Sequence, residues 1–160
     1  MRVSKFAAYL FAGALAYQIL HWIEHIAQVY QHWWLGLPAK ASHGILFFLD
    51  LEWNHFVFNT GYLLLLGAAW WLWRKNGLRS RLLDSTVIIQ SYHVFEHTVK
   101  IVQHVRTACE PCPGILGKYF DGVYLHFMFN TLVLLLPLAA GFLMWRGRGR
   151  SNSVLPANSV

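Results

Sequence analysis

Two histidines four residues apart, with a glutamate between them, open the chemistry of this chain: His21-Trp-Ile-Glu24-His25 returns 72 residues later as His93-Val-Phe-Glu96-His97. Asp50-x4-His55-Phe-Val-Phe-Asn59-Thr60 returns 71 residues later as Asp121-x4-His126-Phe-Met-Phe-Asn130-Thr131, and Trp73-Arg74 returns as Trp145-Arg146. Residues 18–77 thus share an ordered polar set with residues 90–149. Neutral imidazole suits zinc, copper and iron, and a carboxylate adds charge compensation. Histidines at i and i+4 project from one helix face and can address one ion, and a third from a neighbouring helix completes a facial set. The pattern predicts a dimetal site. His21, His25 and His55 form one side, His93, His97 and His126 the other, and Glu24 and Glu96 bridge or orient.

The elements that must position these residues are helices. His21, His25, Gln28 and His32 recur at helical spacing, as do His93, His97, Lys100 and His104, and the histidines at 55 and 126 each precede an asparagine by four residues. The 160 residues are 56% hydrophobic and only 12% charged, against about a quarter charged in soluble domains. Four apolar stretches, near residues 6–35, 45–73, 82–105 and 119–145, exceed the roughly 20 residues that cross a bilayer. The third carries Asp84, Gln90, His93, Glu96, His97, Lys100 and His104, so it needs a bundle interior for its polar face. The expected fold is an all-α, four-transmembrane-helix bundle of two tandem helical hairpins, residues 1–81 and 82–150, with a disordered cytoplasmic tail at 151–160. Helix 1 pairs with helix 3, and helix 2 with helix 4, across a pseudo-twofold axis along the membrane normal. Counting 1.5 Å per residue from the expected helix ends puts His25 roughly 12 Å deep, His21 roughly 18 Å, His55 roughly 15 Å and His126 roughly 10 Å. Asp50 and Asp121 lie nearer the surface, by His32 and His104.

Charge sets the orientation. Arg2, Lys5, Arg74, Lys75, Arg79, Arg81, Arg146, Arg148 and Arg150 fall on one side, and Lys40, Arg106 and Lys118 on the other. The positive-inside rule then gives a multi-pass plasma (inner) membrane protein with both termini cytoplasmic. The net charge of +6 serves topology and lipid headgroups, and no basic patch outside these flanks suits nucleic acid. The start, Met1-Arg-Val-Ser-Lys5 with Ala14-Leu-Ala16 downstream, also reads as a signal peptide. Cleavage there would leave a first helix too short to span, so the uncleaved reading is preferred. Cys109 and Cys112 fall outside, where a disulfide persists, as a staple on the second hairpin loop.

The first expectation of function is a membrane redox or metal-handling protein, with iron or copper favoured and zinc an option. The alternatives are a haem-b electron-transfer protein held by histidine pairs, a metal or proton transporter, and a small accessory subunit whose aromatic faces pack on a larger membrane complex; besides the lipid bilayer, the expected partners are that larger complex or further copies in a homo-oligomer. H-x-x-E-H is also an inverzincin protease spacing, but a protease has no use for two copies in facing membrane helices. The HxxHH boxes of fatty-acid desaturases are missing. His43 and Glu52 have no counterpart in the second half and are expected to stand outside the site. Lys100 replaces Gln28, and either weakens a metal beside it or pairs with Glu96. One outcome checks the orientation: after reduction, a membrane-impermeant thiol reagent applied to intact cells labels Cys109 and Cys112. Labelling only from the cytoplasmic face reverses the topology.

Overall fold

The computed structural model describes residues 4–46 and 51–152. Asp50 and the tail residues 153–160, on which expectations were placed, lie outside the described residues. Helix α1 spans Lys5–Val29 and runs into a π-helical turn, Tyr30–Trp34; a short turn follows at Ala39–Ala41. Helices α2 (Leu51–Lys75) and α3 (Arg81–Thr107) come next, then a turn at Leu116–Lys118 and helix α4 (Gly122–Asn152).

Local chemistry sets the ends. Ser4 and Ser80 cap α1 and α3, each accepting a backbone N–H three residues on, as short hydroxyl side chains do at helix starts. Helix α2 stops at Gly77, whose φ of 75° lets the Gly77 and Leu78 amides return to the carbonyls of Arg74 and Trp73. The linker that follows is short, so α2 and α3 are antiparallel neighbours. Trp70 Nε1 donates to Asp84 Oδ1 at 2.7 Å and fastens that corner.

The principal contacts run α1–α2, α2–α3, α3–α4 and α4–α1. Helices α1 and α3 therefore face each other across the bundle diagonal, as do α2 and α4. Burial is inside-out relative to a water-soluble bundle. Large apolar side chains cover the outside, among them Phe6, Tyr9, Trp34, Leu64, Ile88 and Trp145, while glutamines, histidines, asparagines, glutamates and a lysine are buried. Lys5–Trp34, Leu51–Lys75 and Gly122–Arg146 are long and apolar enough to cross a membrane. Helix α3 is as long as the others but falls short by composition, because its buried face is polar from Gln90 to Lys100.

Along its axis the bundle has two zones. At the linker end, Ala7, Phe11, Ala14, Leu66, Ala69, Trp73, Leu83 and Ala140 pack an apolar core. At the loop end the interior is polar. Tyr62 stands on the apolar side of the boundary, fully buried, its hydroxyl donating to the Val133 carbonyl at 2.7 Å. Removing a buried bond of this kind costs about 1 kcal/mol. Tyr62→Phe should therefore lower the thermal midpoint in detergent, while Leu64→Ala, at a 69% exposed position, leaves it within error. The reverse order would show that the Tyr62 bond does not hold the helices.

Candidate metal centre

All four helices send histidines into the polar zone. His21 and His25 come from the last turns of α1, and His93 and His97 from the middle of α3. His55 and His126 stand one turn inside the starts of α2 and α4. All six are buried. Ring centroids of neighbours lie between 4.6 Å (His21–His25) and 5.9 Å (His25–His126). The six predicted imidazoles are thus one cluster bridging both halves of the chain.

Nitrogen spacing decides what such a cluster can hold. His21 Nε2 and His25 Nε2 are 3.2 Å apart, and His93 Nε2 and His97 Nε2 are 3.1 Å apart. Two nitrogens bound to one ion at about 2.0–2.1 Å lie about 2.9 Å apart at a right angle and about 3.3 Å apart at a tetrahedral angle. Both pairs fall in that window. His93, His97 and His126 bring one ring nitrogen each to within 4.8 Å of one another, a three-histidine grouping that could hold a metal ion. Among the described residues it is the grouping that meets this spacing, and it contains no carboxylate. Four buried ring nitrogens, His25 Nδ1, His93 Nδ1, His97 Nδ1 and His126 Nε2, have no hydrogen-bond partner among the described residues. Buried polar atoms are normally partnered, so the protein supplies this interior with more donor atoms than it uses.

Second partners fix some of the rings. His55 Nδ1 donates to the Leu51 carbonyl at 2.6 Å, which sets its tautomer and leaves the Nε2 lone pair facing inward. The Gln28 amide reaches that atom at 3.4 Å. Asn59 donates to His21 Nε2 at 3.2 Å and to the His55 carbonyl at 2.9 Å. Gln90 donates in turn to Asn59 Oδ1 at 3.1 Å. Gln18 donates to Asn130 Oδ1 at 2.9 Å, and Asn130 to the His126 carbonyl at 3.0 Å. These amides form a polar floor joining α1 to α4 and α2 to α3.

The glutamates face the loops. Glu24 accepts the amides of Ile45 and Leu46, each at 3.0 Å. Glu96 Oε1 accepts those of Ile115 and Leu116 at 2.7 and 2.9 Å. These bonds tie both carboxylates to the loops. An apolar run begins at Ile45, but the amides of residues 45 and 46 are held by a carboxylate and those two residues are not helical. Gly44 (φ 76°) and Gly114 (φ 67°) lie directly over Glu24 and Glu96, where an added Cβ would collide with the carboxylate. Gln31 and Gln103 seal each loop by exchanging two bonds with Gly44 and Gly114. These four residues were missed from the sequence, although Gly-Ile-Leu at 44–46 and 114–116 is their signal.

The off-pattern residues meet each other. Glu52 was expected outside the site, yet it is buried, accepts the Cys112 amide at 2.6 Å and lies 4.0 Å from Lys100 Nζ. The ion pair expected between Lys100 and Glu96 is thus formed with Glu52 instead. Asp121 binds His32 at 3.2 Å near the surface, as expected; His43 lies in the loop before Gly44. Cys109 and Cys112 form the disulfide.

Gly114→Ala should lower the detergent melting midpoint by several degrees, because the glycine has both a left-handed backbone and no space for a methyl group. Gly13→Ala, where a Cβ meets nothing within 4 Å, should leave it unchanged or raise it. Equal effects at the two sites would remove the glutamate-under-glycine clamp as the cause. No protein family, curated protein or solved structure matches the chain, so the chemistry of the cluster rests on its own geometry.

Proposed function

We propose that this is a four-span membrane protein whose six imidazoles, His21, His25, His55, His93, His97 and His126, hold transition metal for redox or metal-handling work. The carrying observation is the two histidine pairs whose Nε2 atoms are spaced 3.1–3.2 Å, beside His126 Nε2, which has no partner among the described residues. Hydrogen bonding alone would leave His126 Nε2 desolvated at about 1–3 kcal/mol, a cost that coordination removes. An all-imidazole set favours iron or copper for redox chemistry and also accepts zinc. Glu24 and Glu96 position the loops over the cluster rather than bridging ions.

The architecture of the proposal is two tandem hairpins, residues 1–81 and 82–150, about a pseudo-twofold axis. Its support is that the carboxylate–loop bonds and the glutamine–glycine seals occur in both halves, and that the glutamine of each half bonds the asparagine of the other. Helix α3 spans in this reading because its polar face is turned inward and Ile88, Phe95 and Val102 face out. The nine basic residues of one flank support a reading in which both termini are cytoplasmic and the cluster lies in the outer half of the plasma membrane. A transporter fits less well, since the apolar core at the linker end offers an ion no polar step. Haem b fits less well too, since the imidazoles already lie 4.6–5.9 Å apart with no slot for a porphyrin between the pairs.

The test is metal analysis of purified protein. Wild type should carry one or two transition-metal ions per chain, with no Soret band. His25→Ala combined with His97→Ala should reduce the metal to below about a tenth, because each half loses an imidazole, while His43→Ala retains it. Folded wild-type protein that stays metal-free in metal-replete growth would overturn the proposal.

A further inference from the structure

Under the loops, at the loop end of the cluster, lies a cavity of about 200 Å³ whose walls include Gln28, Glu52, His55, Lys100, Cys112 and His126. A second cavity, at the linker end, is lined instead by Phe11, Trp73, Met144 and their apolar neighbours. Lys100 is unusual in it. Its side chain is only 3% exposed, yet its ammonium makes no hydrogen bond among the described residues, and the nearest recorded carboxylate oxygen, Glu52 Oε1, is 4.0 Å away. That oxygen already accepts the Cys112 amide at 2.6 Å. Glu52 offsets the ammonium's charge at that distance without accepting a hydrogen bond from it, so its three donors are open to an acceptor in the cavity. The same wall carries His126, 9% exposed, whose Nε2 has no partner among the described residues.

We infer that this cavity is a binding site for a small anion, which Lys100 meets with its charge and hydrogen bonds beside His126. The anion site stands on Lys100 and the cavity. The anion's role as an external ligand of the metal rests on the reading given above. Charge argues for that role as well. Neutral imidazoles leave a divalent ion with its full charge in an apolar interior, and the three-histidine grouping includes no carboxylate. A buried charge of that size needs compensation. The volume admits a ligand of a few heavy atoms: azide, formate, bicarbonate or a peroxide anion. The first half has Gln28 where the second has Lys100, so the anion belongs on the His126 side.

Azide and formate are the probes, titrated calorimetrically into the purified protein and spectroscopically into protein loaded with cobalt(II). Wild type should bind azide saturably, with a shift of the cobalt bands. Lys100→Gln should keep the cobalt and weaken azide at least tenfold. Glu52→Gln, which removes the competing negative charge but keeps the lysine, should tighten it severalfold. Opposite signs at the two positions are not what general damage to the fold produces. Cobalt bound without any azide response, or azide bound equally by Lys100→Gln, overturns the anion site and leaves the metal reading intact. Calorimetric azide binding that depends on Lys100 in protein that takes up no cobalt keeps the anion site and removes its coupling to a metal.

Discussion

A polar group buried in this bundle is costly unless it finds a partner within the bundle. An apolar exterior offers nothing to an imidazole or an amide, and desolvation without a bond is costly. That constraint explains why the polar side chains are concentrated in one zone instead of being spread along four helices. It explains the amide floor beneath the histidines, which ties α1 to α4 through Gln18 and Asn130 and α2 to α3 through Asn59 and Gln90. It also explains the loops. Their first amides would be orphans at the bundle mouth, and Glu24 and Glu96 take them up. The cluster, the floor and the loop clamps answer one requirement, and the diagonal placement of α1 opposite α3 lets a single interior serve all of them.

The helices and the six histidines were legible because their signals are periodic. Imidazoles at i and i+4 share a face, and apolar runs beyond 20 residues have few other readings. What could not be read was set by partners distant in sequence. The pull of Glu24 on residues 45 and 46 overrides an apolar run that looks helical from Ile45. The meeting of Lys100 with Glu52 crosses 48 positions and joins two residues that each looked like an exception. Helix α3 posed the opposite difficulty: its composition argues against a span, and only its packing between α2 and α4 shows where the polar face is turned.

The paired exception bears on the chemistry. Where the first half has Gln28 against His55, the second has Lys100 beside His126, and where the second half has Val123, the first has Glu52. One added cation and one added anion leave the zone's formal charge unchanged, which a low-dielectric interior favours over either change alone. The two three-histidine sets therefore have unequal surroundings. One is faced by a neutral amide that already contacts an imidazole, the other by an ammonium and open volume. Two ions in such sets would differ in potential and in access.

The dry core at the linker end has an electrical consequence. Phe11, Leu66, Ala69, Trp73 and Leu83 fill the interior there, and the buried hydroxyls of Tyr62 and Thr86 are spent on backbone carbonyls. In a bilayer, the full drop across a membrane is worth about 2.3 kcal/mol per elementary charge at 100 mV. A charge reaching the histidines from the loop end crosses only a part of that drop and goes no further. Protons and ions reaching such a centre would come from one aqueous phase, so the membrane voltage would act on each through only part of its drop, and turnover supplied from that side alone would carry no ion across the whole membrane.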